Sequence, residues 1–395
     1  MRNNPSIISC LAAHPHDTDS YYEAIANCAG PDYMFWDAPL SAWISTGYED
    51  CVGLLHDTRL ERTRPCLSGN SESTDLMDFA QRIMDSQMMF SDDPAASGYR
   101  RDWSQSLSGQ SSSGPTLKQL AAKTLEEAAD GIERDAFKEI LEPFVSRSIC
   151  SRLGVKETER RALYRYILQY VNLLDGRTTN KDDFQLSLFA LVSLYSKLSS
   201  RADPQLLRED RHRWISNLVL VLAAGHESTA YVLGTVLLRW AKPHTSTSAH
   251  LQRLRQVVTE AIRYDNPVQM IGRRATSELE VNKHRISKGD RVYLHIGAAN
   301  RDPRMFAEAS EFNPERSGPP PLSFGVGRSQ CIGRSLAMDA AITFLSTMIE
   351  SNVSLKIDRS GVRWNNGLSG RAFSVLPATV HSSTSIQTRY QAALC

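Results

Sequence analysis

No stretch of this chain is apolar for long. The longest uninterrupted run, Leu218–Ala224, is seven residues, whereas a helix that spans a bilayer needs about 20. The first residues offer only Ile7–Ala13 before His14, with no basic leader, so neither a membrane anchor nor a secretory signal is expected and the chain is placed in the cytoplasm. Charge of one sign is missing too: 45 Lys+Arg face 44 Asp+Glu, a net charge of +1, which gives no pull toward nucleic acid or an anionic membrane. Paired cysteines are absent. The 7 cysteines (10, 28, 51, 66, 150, 331 and 395) are scattered singly, which reads as reduced thiols and excludes both a secreted disulfide framework and structural zinc. There is no internal repeat.

What remains is a chain of 395 residues, 41% hydrophobic and 23% charged, with enough apolar material for a large core. Apolar positions three and four apart predict helices over Leu117–Ala129, Phe137–Leu153, Arg160–Leu174, Phe184–Leu198, Leu206–Trp240 and Leu251–Arg263. Alternating or β-branched pieces predict small sheets at Met34–Ile44, Leu279–Ile286, Arg291–Ile296 and Val353–Ile357, with a terminal hairpin around Phe373–Val380. The fold class is mainly α with small β sheets. Ser104–Pro115 has a linker's composition but is short and flanked by helical patterns, so it reads as a surface loop, and residues 1–395 read as one domain.

Three constellations carry chemistry. Phe324-Gly325-Val326-Gly327-Arg328-Ser329-Gln330-Cys331-Ile332-Gly333 is a glycine-punctuated loop entering an apolar helix from about Ile332 to Met348. Glycines allow a tight turn and close approach to a flat ligand, and the amides at a helix start favour thiolate over thiol. A lone cysteine so placed suits one axial ligand of a haem iron, or is a small core residue before a helix; the residues alone leave both open. Glu260 and Arg263, three apart, share one helix face and can pair. In the long apolar helix, Ala224-Gly225-His226-Glu227-Ser228-Thr229 puts small and polar residues where large apolar ones belong, and its carboxylate and hydroxyls are able to relay protons.

The pattern F-G-x-G-x-x-x-C-x-G-x-x-L-A over Phe324–Ala337 resembles the haem-binding loop of the cytochrome P-450 family, the haem-thiolate monooxygenases. Four further segments resemble that family in order: Asp92-Asp93-Pro94 through Arg100-Arg101, the Ala224–Thr229 break, Glu260–Thr276, and Ala299-Asn300-Arg301-Asp302-Pro303 with Phe306 and Phe312. The resemblance as a whole spans about Met88 to Leu376. The resemblance implies the cytochrome P-450 fold of the soluble bacterial type, with haem b bound through Cys331 as its axial thiolate. It makes Phe324, Gly325, Arg328 and Gly333 part of the cofactor loop, and Ala224 and Gly225 haem-facing positions. Arg100 and Arg273 become donors to the haem propionates, a role that suits a forked guanidinium. Glu227 becomes the acid and Ser228 the hydroxyl of a proton relay, with Thr229 as a second hydroxyl. Glu260, Arg263 and Arg316 become a buried structural salt bridge. His226 falls at a variable position and reads as a packing or salt-bridging residue; Arg274 and Arg101 read as outward. Two departures stand out: Ala96 and Ser329 occupy positions where the family usually has propionate donors, and Ser228 stands where it usually has threonine.

The implied reaction is activation of dioxygen and insertion of one oxygen atom into a small organic substrate, with electrons from NAD(P)H through a separate ferredoxin or flavodoxin-type donor and its reductase. Alignment to the family nominates Met88, Met89, Ala224, Val268, Met270, Ile271 and Phe373 as pocket residues and predicts a largely apolar cavity with few fixed charges, suited to tailoring a secondary metabolite. Hydroxylation or epoxidation leads. A P-450-type enzyme of altered chemistry (oxidative coupling, cyclisation, nitration or peroxide-driven oxidation) follows from Ser228, and a non-catalytic haem sensor is the third class.

Overall fold

The computed structural model describes residues 6–63, 67, 74–92, 96–108, 115–178, 180–239 and 249–382. Cys66, Asp93, Pro94, Trp240, Cys395 and most of the expected loop after Ser104 lie outside them, as do the side chains of Ala96 and Ser329. The helices are α1 Ile7–Ala13, α2 Thr18–Ala29, α3 Tyr48–His56, α4 Asp75–Asp85, α5 Ala96–Ser108, α6 Leu117–Ala128, α7 Glu142–Arg152, α8 Glu157–Leu174, α9 Lys181–Leu198, α10 Arg208–Ala224, α11 His226–Arg239, α12 Ala249–Tyr264, α13 Ile296–Ala299 and α14 Arg334–Glu350. The strands are β1 Met34–Asp37, β2 Ala42–Ser45, β3 Leu60–Arg62, β4 Glu133–Asp135, β5 Met270–Ala275, β6 Leu279–Val281, β7 His284–Ile286, β8 Arg291–His295, β9 Val353–Ile357, β10 Arg363–Asn366, β11 Arg371–Val375 and β12 Pro377–Ser382. The predominantly helical expectation with small sheets holds.

Local chemistry sets many of these ends. The Asp17 carboxylate caps α2 by accepting from the Asp19 and Ser20 amides, and Thr116 with Gln119 forms a capping box on α6. Asn282 and Lys283, both at positive φ, make the tight turn joining β6 to β7. The main sheet runs β1-β2-β8-β5-β3, antiparallel except for the β2/β8 pair.

The long helix is interrupted within the expected Ala224–Thr229 segment, α10 ending at Ala224 and α11 starting at His226; two other expectations need correction. The Ser228 hydroxyl donates to the Ala224 carbonyl at 2.9 Å, a side-chain bond that competes with the ladder where small residues leave it accessible. The helix predicted from Phe137 begins with one π turn, Phe137–Leu141, before α7. The terminal hairpin does not form: β11 pairs with β10, while β12 pairs with β4 and β9. A single residue, Leu376, separates β11 from β12, which is too short for a reversal, so the chain passes from one sheet into the next.

Residues Ile215–Ala223 of α10 are all buried, as a helix apolar on every side must be. Arg208–Arg239 is the one segment among the described residues long and apolar enough to cross a membrane, and 78% of its most apolar window lies inside the protein. The main apolar cluster gathers α4 to α12 and α14; smaller ones lie under α3 with β5–β8 and under α1 with α2.

Candidate active site

The Glu260–Arg263 pair is built as the helical spacing requires and does more than close on itself. Arg263 donates to both Glu260 oxygens at 2.8 Å and to the carbonyls of Asn300, Ala309 and Glu311 at 2.8–3.0 Å. Arg316 reaches Glu260 at 3.4 Å, and the Asn313 amide donates to it at 2.8 Å. With Arg263 2% exposed and Glu260 5%, the pair is buried with its hydrogen-bonding capacity largely filled, the condition under which a buried pair is tolerable. Asn300 carries the order onward: its side chain accepts from the Leu322 amide at 2.7 Å and donates to Ser323 at 2.8 Å. The loop holding the cysteine therefore starts from a fixed base.

Within that loop Gly325 and Gly327 take φ of 64° and 55°. A Cβ on Gly327 would fall 2.5 Å from the His56 ring, so this turn requires glycine on both counts. The Cys331 amide donates to the Phe324 carbonyl at 2.6 Å, closing the loop and presenting the thiol before α14. Desolvation by the protein around the sulfur pushes the thiol up, although the residue opens to solvent on one side; the amides of Gly333 and Arg334 and the charges of Arg100 and Arg334 pull the other way.

Across from the loop runs α11. Ser228, Thr229 and Val232 form one wall of a narrow slot whose other wall includes Ser323, Phe324 and Ala337. Ser228 also lines a cavity of about 1110 Å³ whose wall includes Ala224, Glu227, Met89, Val268, Met270 and Ile271. Two nominated pocket residues are placed elsewhere. Met88 is buried in the core, its amide held by Asn217 at 2.8 Å, which leaves Met89 to face the cavity. Phe373 is buried against Phe137 and Tyr231, packed onto α11 where Gly234 has no side chain. Ala224 is open to the cavity, but the missing side chain of Gly225 points at α7, where a Cβ would stand 3.0 Å from Ile149 Cδ1. Gly225 thus serves helix packing.

The cavity is less apolar than expected, with charge in two groups. In the first, Arg62 on β3 donates to the Ser91 carbonyl at 2.5 Å, to Asp92 at 2.9 Å and to the Arg328 carbonyl at 2.8 Å. Arg328 sits 3.4 Å from Asp92 and donates to the Leu60 carbonyl at 2.8 Å. Arg100 donates to the Gln330 carbonyl, next to the cysteine. Arg273 donates to the Gly272 carbonyl at 2.8 Å; desolvation pulls it down to about 10, helped by repulsion from Arg62 and Arg328. Asp92 is the carboxylate in these contacts, and the guanidiniums of Arg62, Arg100, Arg273 and Arg328 gather around it and the rim of the loop.

The second group surrounds Glu227. Arg177 forks onto it at 2.9 and 2.7 Å and also lies 2.7 Å from Asp175. Burial pushes Asp175 up to about 6 against the pull of Arg177. His226 packs edge-on to Tyr164 with its Nε2 3.9 Å from Glu142, and burial drives it down to about 4, so it is a neutral packing residue as the sequence suggests. Arg62, Asp175, Arg177 and Glu142 escape the sequence reading. Asp175-Gly176-Arg177 signals only the glycine stop of α8, with Gly176 at φ 66°.

Known proteins match this arrangement. The cytochrome P-450 family model matches residues 233–365. The biotin biosynthesis cytochrome P-450 of Bacillus subtilis (strain 168) is 24% identical over 91% of this chain and 95% of its own length. The 6-deoxyerythronolide B hydroxylase of Saccharopolyspora erythraea is 28% identical over 85% of this chain and 89% of its own. Among solved structures, P-450 BioI in complex with an acyl carrier protein ligated to hexadec-9Z-enoic acid superposes with a TM-score of 0.76, covering 93% of this chain and 99% of that one at 24% identity.

Proposed function

The chain belongs to the cytochrome P-450 family and is a P-450 monooxygenase, and from that premise we propose that residues 1–395 form one cytoplasmic catalytic domain that inserts oxygen into a small secondary-metabolite substrate by hydroxylation or epoxidation. The observation that carries this reading is the slot in which Ser228 and Thr229 of α11 face Phe324 of the cysteine loop and Ala337 of α14. Hydroxyls on one wall of the slot, with Glu227 on the wall of the adjoining cavity, and a helix-capped thiol in the loop beyond Phe324 would form the two sides of a haem-thiolate site. The names of relatives in biotin synthesis and macrolide hydroxylation support tailoring of a biosynthetic intermediate.

The residues present fit haem b. Cys331 would hold the iron, while Arg62, Arg100, Arg273 and Arg328 bring four guanidiniums to the rim of its loop, donors of the kind two propionates take. Arg62 thereby stands in for the donors missing at Ala96 and Ser329. Haem b, when bound, supplies the reductive activation of dioxygen that side chains cannot perform. The protein's part is to bind, orient and deliver protons. Met89, Val268, Met270 and Ile271 orient an apolar body above the slot. Glu227 is held by Arg177, so it hands on a proton only when that fork loosens; Ser228, its own proton committed to the Ala224 carbonyl, accepts at its oxygen. Electrons reach the site from NAD(P)H through a ferredoxin or flavodoxin-type protein and its reductase, docked near exposed Arg101 on α5.

The test is the absorption spectrum after dithionite and carbon monoxide beside Cys331→Ala. A red-shifted Soret band present only with Cys331 supports the reading, and a haem-free wild type or a band that survives the substitution overturns it. The committed Ser228 hydroxyl favours a second reading, oxidative coupling or cyclisation, and turnover under labelled dioxygen without label in the product would select it.

A further inference from the structure

The cysteines are scattered singly along the chain, but the fold brings two of them together. Cys10 on α1 and Cys28 on α2 are 18 residues apart in sequence, and their sulfurs are in contact at 3.7 Å. They sit in the apolar cluster under α1 and α2, separate from the one that Phe324 and Ile332 of the cysteine loop join. A disulfide forms only between cysteines whose side chains already face each other, and among the described residues no other two cysteines touch.

The two sulfurs differ in access. Cys10 is 6% exposed, while Cys28 is half-buried at the edge of the cluster. Burial first, and the neighbouring Cys28 after it, push Cys10 up to about 12, so it keeps its proton and resists reagents arriving from solvent. The helices that carry the pair are anchored in different places. The Ile7 amide at the start of α1 donates to Asp37 at the end of β1 at 2.7 Å. On α2, Tyr22 donates to Gln269 at 3.0 Å and Thr18 accepts from Arg371 at 2.8 Å. Gln269 leads into β5, and Arg371 lines the cavity. A bond between the sulfurs would therefore tie the seven residues of α1 to the helix that braces the β5 wall.

We propose that Cys10 and Cys28 are a reversible dithiol–disulfide pair, with Cys28 the attacking and Cys10 the resolving sulfur, which locks α1 onto α2 when a small-molecule disulfide oxidises it. In the first exchange Cys28 bonds to one sulfur of the small disulfide, whose own S–S bond breaks, and the departing thiol takes the Cys28 proton. In the second, Cys10 attacks the Cys28 sulfur, the mixed S–S bond breaks, and a second small thiol leaves with the Cys10 proton. Two protein thiols are oxidised by two electrons and one small disulfide is reduced by the same two. The Cys28 charge that helps to hold the proton on Cys10 is absent from the mixed disulfide, which eases Cys10 toward thiolate at the step that needs it.

The experiment equilibrates the haem-loaded protein in oxidised glutathione, alkylates the remaining thiols and maps the peptides by mass. The Cys10 and Cys28 peptides should appear joined and two hydrogens lighter, and should separate again in reduced glutathione. Amide hydrogen exchange across α1 should slow by about tenfold or more in the oxidised protein. Cys10→Ser should trap one glutathione on Cys28, and Cys28→Ser should leave Cys10 unmodified. Absence of the joined peptide in the wild type, with Cys28 either free or holding its glutathione, overturns the proposal, as does a joined peptide with α1 exchange unchanged.

Discussion

His226 and Glu142 make opposite contributions to acid stability, and substituting either one should expose the other. His226 is 1% exposed and its pKa in the folded protein is driven down to about 4 by burial. A depressed pKa gives stability that is present above the unfolded value of 6.5 and lost as pH falls through about 4. Glu142 is the reverse case. Burial raises it from 4.5 to about 7, so its contribution is full below 4.5 and is lost as pH rises through about 7. Each displacement is about 2.5 units, hence about 3 kcal/mol at 1.36 kcal/mol per unit, and the two windows nearly coincide. Over that range the wild-type protein should carry little net slope from this pair. Glu142→Gln leaves the histidine alone and should lose about 3 kcal/mol relative to wild type on going from pH 7.5 to 4.5; His226→Phe, which keeps a ring against Tyr164, should gain about 3 kcal/mol over the same interval. Urea midpoints of the haem-loaded proteins at the two pH values measure this, with every other titrating group cancelling in the comparison. Parallel loss of stability in wild type and Glu142→Gln would refute the reasoning.

Arg263→Met strips Glu260 of its main partner and strands three carbonyls, and should cost about 3–5 kcal/mol, with Glu260→Gln/Arg263→Met costing less than the single substitution because no unpaired charge remains; urea unfolding of the apoprotein measures both. Arg62→Ala removes charge-assisted bonds to Asp92 and the Arg328 carbonyl and should speed haem transfer to apomyoglobin by about tenfold or more, with an unchanged rate counting against Arg62 as a propionate donor.

The helices were legible because burial enforces the 3.6 period on which they were read, whereas Leu279–Ile286, read as one strand-like piece, folds into the β6–β7 hairpin because Asn282 and Lys283 turn the chain at positive φ. The cysteine loop was legible for a different reason: tight backbone approach demands glycine at Gly325 and Gly327, and such demands leave letters in the sequence. Charge complementarity leaves none. Arg62 reads as one outward residue of a three-residue strand, and only the pairing of β3 with β5 and the return of the chain at Ser91–Asp92 bring it beside Arg273 and Arg328. The errors at Met88 and Phe373 have the same origin, since which of two adjacent side chains faces a cavity is decided by a partner distant in sequence, Asn217 in one case and Gly234 in the other. Glu227 combines both kinds of information. Its presence in the helix break was readable, yet the ion pair that holds it comes from Arg177, 50 residues away along the chain. A motif can therefore name a carboxylate, while the partner that holds it is set by the return of the chain after α8 to the start of α11.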